Sequence, residues 1–193
     1  MREKFKFQPG DVILVKAEKK FLWTNPVFEP FVRGYNHAMF YYDKNSRKLS
    51  LIMESSPRGA QINTFHKQAG QDIEVYHLSH QYSEIFAEAV IKAGEKLVDR
   101  DAAFYDYFLI PLKAILLKLG RSSRLRIKSY PCYVCSEFVQ VCFEEAVNFL
   151  EGELLQIYKA EILPHFPSKI MFPADFAEVL VLKKVWEGRV SIS

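Results

Sequence analysis

Ser129-Tyr130-Pro131-Cys132-Tyr133-Val134-Cys135-Ser136-Glu137-Phe138-Val139 is the stretch on which the reading turns. Its first half, to Val134, reads as extended chain. From residue 136 to 150 the apolar residues Phe138, Val139, Cys142, Ala146, Phe149 and Leu150 recur with helical spacing, which predicts a helix. Cys135 therefore stands at a helix start. The unpaired N–H groups there favour negative charge. They lower a thiol's pKa towards the reactive thiolate, and they can also hold the oxyanion of an acyl-transfer intermediate. A small buried residue with no chemistry would suit the same position, and position alone does not choose between the two.

Working outward, the next decisive segment lies a hundred residues earlier. Ala38 to Tyr42 is apolar and aromatic, Asp43 to Arg47 is polar, and Leu49 to Glu54 is apolar again. This pattern predicts a β-hairpin. His37 opens the first strand, after Gly34-Tyr35-Asn36, and Glu54 closes the second. A turn around residues 43 to 48 brings both to the same open end of the hairpin. A strand fixes the angle of an imidazole, as a general base requires. A carboxylate beside it can hold one tautomer and stabilise the charged form. Glu54 also reads as a solvent-facing acid at a strand end, and hairpin register is not fixed by sequence. His66, His77, His80 and His165 lie in polar or loop-like surroundings, without a matching cysteine or acid.

The pair Cys132-x-x-Cys135 has two further readings. Zinc would need two more ligands, and neither a second CxxC nor a paired-histidine motif is present. Thioredoxin-type redox chemistry would want a βαβ context, which the pattern does not show. Cys142 falls on the apolar face of the predicted helix and reads as core. No metal and no cofactor are expected.

The remaining segments fill in the frame. Gln8-Pro9-Gly10-Asp11 is a turn signal, and a short strand from Val12 to Lys16 follows it. Residues 17 to 36 read as loop, carrying Phe21, Trp23, Phe28, Phe31 and Tyr35, aromatics that line a cleft or cap the core. Ser55-Ser56-Pro57-Arg58-Gly59 breaks the second hairpin strand. Ile73 to His77 predicts another strand. Ile85, Ala89, Ala93 and Leu97 predict a helix over 83–98. Tyr107 to Leu119 is apolar but interrupted by Pro111 and Lys113. It reads as a buried helix or as a segment lying on a membrane surface. The basic residues Arg121, Arg124, Arg126 and Lys128 follow it, as a solvated loop or an anion site. Pro173-Ala174-Asp175 marks a turn before a late strand from Val179 to Val185. Short strands beside separate helices predict an α+β fold.

Composition sets the outer limits. The chain has 193 residues, 49% of them hydrophobic and 25% charged, which suits one globular domain over 1–193. A net charge of +3 is small for a nucleic-acid binder, and none is expected as a partner. Three clustered cysteines do not suggest a secreted disulfide scaffold. The N-terminal MREKFKFQPGD lacks the apolar core of a signal peptide, so the expected location is cytoplasmic. A chain whose leader had been removed would read the same way.

Four motifs, taken together and in order, resemble a known family: Gly10-Asp11-Val12-Ile13-Leu14-Val15, Asn36-His37-Ala38, Met53-Glu54-Ser55 with Gly59 shortly after, and Tyr133-Val134-Cys135-Ser136-Glu137-Phe138-Val139. They resemble the permuted papain-like amidases of the YaeF/YiiX type, within the NlpC-like superfamily of cysteine peptidases. The resemblance runs from about residue 8 to about residue 180, and the cysteine-helix motif is its most specific part. It implies a circularly permuted papain-like fold, in which a small antiparallel β-sheet or barrel packs against helices and the nucleophile sits at a helix N-terminus. It further implies Cys135 as nucleophile, His37 as base and Glu54 as the orienting third member. Tyr133, and with it Tyr35, becomes a candidate for the oxyanion or substrate site. The segment 100–130 departs from the family pattern and reads as a helical insert, a lid or a substrate wall.

The function so implied is a cysteine-dependent amidase or peptidase acting on peptidoglycan-derived or other short peptides. Many members of the family carry export signals and this chain shows none, which favours recycling of wall fragments over wall cleavage. Two other functions remain open. One is a lipid-directed acyltransferase or esterase of the lecithin:retinol acyltransferase-like kind. The other is a binding module with an unreactive Cys135.

Overall fold

Two apolar sets alternate along the strands, and each covers one face of a sheet. Val12, Leu14, Ala38, Phe40, Tyr42, Met53, Tyr76 and Leu78 point one way. Ile13, Val15, Met39, Tyr41, Ile52, Ile73 and Val75 point the other. A strand buried on both faces reads as a continuous apolar run, which is why Val12 to Val15 shows no polar alternation. The computed structural model describes residues 5–17, 34–42, 50–56, 59–99, 135–166 and 171–190.

The strands are β1 (Val12–Lys16), β2 (Tyr35–Tyr42), β3 (Leu51–Ser56), β4 (Gly59–Thr64), β5 (Asp72–Leu78) and β6 (Leu182–Arg189). They form one sheet in the order β4-β3-β2-β1-β5-β6, and every neighbouring pair is antiparallel. The helices are α1 (Ser83–Val98), α2 (Cys135–Glu145), α3 (Gly152–Ile157) and the one-turn α4 (Pro173–Phe176). Phe86, Val90 and Leu97 of α1, with Phe138, Val139 and Cys142 of α2, pack on the first sheet face. The second face is covered by the aromatic side chains of Phe5, Phe7, Phe65 and Trp186. The fold is thus α+β, a six-stranded antiparallel sheet with its main helices on one side.

The turn before β1 shows how a local motif fixes a tertiary contact. Gly10 has φ +87°, and a Cβ built on it would lie 2.6 Å from the Cβ of Ala87. Only glycine allows both this backbone angle and this approach of α1. Asp11, buried beside it, accepts the Gln8 N–H at 2.8 Å.

Several boundaries differ from expectation. β2 starts at Tyr35, three residues before Ala38, so His37 lies within the strand. β3 runs Leu51–Ser56, and Ser55-Ser56 continues it instead of breaking it. Ser56 then pairs with Gly59, and the chain returns as β4, an unexpected strand. β4 is an edge strand whose short apolar set, half-buried Ala60 and exposed Ile62, gives only a weak alternation. Helix α2 begins at Cys135 and tightens into a 3-10 turn over Ala146–Phe149. The turn at Pro173 is the short helix α4, where the Phe172 N–H donates to the Asp175 carboxylate at 2.7 Å. β6 starts three residues after Val179, because the Leu182 N–H closes a turn on the Val179 carbonyl at 2.9 Å. Segment 100–130, the basic cluster at 121–128, Phe21, Trp23, Phe28, Phe31, Cys132 and Tyr133 lie outside the described residues. Among the described residues, no helix is long and apolar enough to cross a membrane.

Candidate active site

The ladder between β2 and β3 is short. It pairs Tyr42 with Leu51, Tyr41 with Ile52 and Phe40 with Met53, then stops. Beyond that point β2 continues to Tyr35 and β3 to Ser56 without pairing with each other. On its other edge β2 stays bound to β1, but Val15 pairs with His37 and Lys16 with Tyr35, leaving Asn36 as an extra residue. Such a bulge bends a strand and re-aims its side chains. His37 therefore stands at a bulge on one side of β2 and a fork on the other.

Cys135 meets the strand at this fork. Its sulfur accepts the backbone N–H of Ala38, which the β3 ladder no longer reaches, and the N–H of Ser136 in the first turn of α2. It also hydrogen-bonds the His37 ring. On the far side of that ring, His37 Nε2 lies 2.6 Å from Glu54 Oε2. With Nε2 held by the carboxylate, Nδ1 is the nitrogen left for the sulfur. Glu54 Oε1 accepts from Asn63 Nδ2 and from Lys67 Nζ, each at 2.7 Å. The Glu54 side chain is 2% exposed and that of His37 21%, so the acid is sealed while the imidazole stays partly exposed.

The charges follow from these contacts. Burial disfavours a charged imidazole, but the Cys135 sulfur and the Glu54 carboxylate outweigh it and raise His37 to about 10. Burial likewise disfavours the Glu54 carboxylate. The His37 ring and the Lys67 ammonium overcome that penalty and hold Glu54 at about 2. Burial pushes the Cys135 thiol up, yet His37 and the two N–H bonds bring it below its ordinary value. These contacts favour a thiolate–imidazolium pair backed by an ionised acid. Cys142 is the contrast: fully buried on α2 and near Glu145, it stays a thiol, its pKa raised well above the usual value.

The three residues singled out by sequence pattern thus come together from β2, β3 and the start of α2. Tyr133 lies outside the described residues. Tyr35 is on β2, two residues from His37, and its hydroxyl donates to Glu74 Oε2 at 2.7 Å. Tyr76 donates to the same oxygen at 2.5 Å. Lys16 and Lys184 lie 3.1 and 3.3 Å from Glu74 Oε1. As an oxyanion donor, Tyr35 would first have to leave Glu74.

Sequence pattern did not point to Asn63 or Lys67. In the structure Ile52 pairs with Asn63 across β3 and β4, which puts Asn63 on the same sheet face as Glu54, a register that the sequence pattern did not supply. Two histidines read as lacking an acid have one. His77 Nδ1 lies 2.8 Å from Asp11 Oδ1, and His80 Nε2 lies 3.0 Å from Glu161 Oε2. No cysteine is linked with either of these pairs among the described residues. Nor does any group of three or more His, Cys, Asp or Glu among them form a metal-binding arrangement.

No family model matches this chain, and no curated protein does. Among solved structures it is similar to the crystal structure of the metalloprotein YiiX from Escherichia coli O157:H7, with a TM-score of 0.59. The likeness covers 96% of this chain and 99% of that one at 14% sequence identity. At such low identity the likeness concerns the fold.

Proposed function

We propose that this protein is a cysteine-dependent amidase or peptidase of permuted papain-like fold, with Cys135 as nucleophile, His37 as acid–base and Glu54 as orienter. The observation that carries the proposal is the continuous row from the Cys135 sulfur through both nitrogens of His37 to the sealed Glu54 carboxylate. The chain order supports the permuted reading, since the strands bearing His37 and Glu54 precede the helix bearing Cys135.

In this reading the thiolate attacks an amide carbonyl carbon, forming a C–S bond and a tetrahedral oxyanion. His37 gives its proton to the amide nitrogen as the C–N bond breaks and the amine leaves. Neutral His37 then takes a proton from water, whose oxygen attacks the thioester. The thiolate departs and the carboxylic acid product is released. Glu54 stays ionised throughout and holds the ring in one orientation. Short peptides, peptidoglycan-derived ones among them, are the proposed substrates, and a cytoplasmic site of action would suit recycling.

The YiiX structure is of a metalloprotein. The donor set here does not suit a cation. Both Glu54 oxygens accept hydrogen bonds, and one of the donors is the Lys67 ammonium, which repels a metal ion. No step is assigned to a metal.

A screen of short peptide amides, with lipid esters as a second arm, tests the proposal. Expected are turnover of a peptide amide and a Cys135-linked acyl adduct in the intact mass, both lost in Cys135→Ala. Turnover that survives Cys135→Ala contradicts the mechanism. An adduct formed from lipid esters alone would replace the amide substrate with an ester.

A further inference from the structure

Glu54 has a partner that a cysteine–histidine–acid row does not require. Lys67 sits in the 3-10 turn Phe65–Gln68, which follows β4. That turn is fastened by the Phe65 N–H on the Ser50 carbonyl at 2.9 Å. Phe65 also packs edge-on against Phe7 and Tyr41. From this anchored position Lys67 places its ammonium 2.7 Å from Glu54 Oε1. Asn63 already satisfies that oxygen at the same distance, so what Lys67 adds is charge.

We propose that Lys67 is a positioning residue that tunes the acidity of the Cys135 nucleophile by balancing the charge of Glu54. The inference rests on the catalytic reading above. Charges alternate along the row: thiolate, imidazolium, carboxylate, ammonium. With Lys67 the row sums to zero, and without it the row carries one net negative charge. Among the described residues, the charged partners of Glu54 are His37 from β2 and Lys67 from the turn after β4, while Asn63 is neutral. An added net negative charge opposes thiolate formation. Removing the ammonium therefore moves the appearance of the Cys135 thiolate to higher pH. The Lys67 side chain is 49% exposed, so salt screens its effect.

The test is the pH dependence of Cys135 alkylation by iodoacetamide, read by the mass of the peptide that carries it. No substrate is needed. In Lys67→Met the midpoint should rise by about half a pH unit at low salt. Lys67→Arg should restore it, and high salt should shrink the difference. Lys67→Gln serves as a second uncharged variant if Lys67→Met fails to fold. Superimposed profiles for Lys67→Met and the unaltered chain overturn the inference and leave the catalytic reading standing. An Arg variant that behaves like Met also overturns it. An ordinary-thiol profile in the unaltered chain overturns the catalytic reading, and this inference with it.

Discussion

Burial raises the pKa of any thiol, because a thiolate loses its hydration. Cys142 follows that rule and Cys135 does not. The main difference is His37, whose ring supplies positive charge against the Cys135 sulfur, with the Ala38 and Ser136 N–H groups adding to it. His37→Ala should therefore return Cys135 to burial-dominated behaviour. Its alkylation near neutral pH should fall steeply, and kcat/KM on a peptide amide should drop by about 10²–10⁴-fold. Glu54→Gln preserves the size of the side chain but removes the charge behind the imidazolium. A pH–rate profile should then show the basic limb, set by His37 at about 10, moving down towards neutrality. His37 and Glu54 were legible because their strands carry strong apolar patterns that locate the hairpin ends. Asn63 and Lys67 were not, because they lie on and just after an edge strand whose apolar alternation is weak.

At the scale of elements, the fork between β2 and β3 makes the site. Where the ladder stops, the Ala38 N–H is free to bond sulfur instead of a carbonyl, and α2 delivers Cys135 into the opening. Sequence pattern marked the hairpin but could not show where its pairing ends, since that depends on α2 from a hundred residues away. The same distinction holds for the motif Gly10-Asp11. Its turn character was readable, whereas the close approach of Ala87 was not. Gly10→Ala forces a side chain into positive φ and against α1. It should cost about 2–4 kcal/mol of stability, the sum of backbone strain and overpacking. A lowered urea midpoint at unchanged m-value would show this, and an unchanged midpoint would contradict the described packing.

At the scale of the molecule, two buried carboxylates tie the sheet to its charged partners. Glu54 and Glu74 are both held at about 2, against an ordinary 4.5, by hydrogen bonds and cations that outweigh burial. A group whose pKa is depressed on folding adds stability above its unfolded value and loses it as pH falls through the folded one. The stability these two carboxylates contribute should therefore hold above about pH 5 and decline towards pH 2. In Glu74→Gln the deficit relative to the unaltered chain should narrow over the same window, as urea melts at stepped pH would record. Sequence pattern gave the α+β class and most of the strands. It missed what joins distant segments, such as Tyr35 to Glu74 and Lys67 to Glu54, because no local periodicity encodes a contact between elements. If Cys135 and His37 form a reactive ion pair, the rate of Cys135 alkylation against pH reads it out. Full reactivity is expected well below about pH 8, selective over Cys142 and lost in His37→Ala. A Cys135 that titrates like a free thiol, with a midpoint of about 8.5 unchanged by His37→Ala, would contradict it.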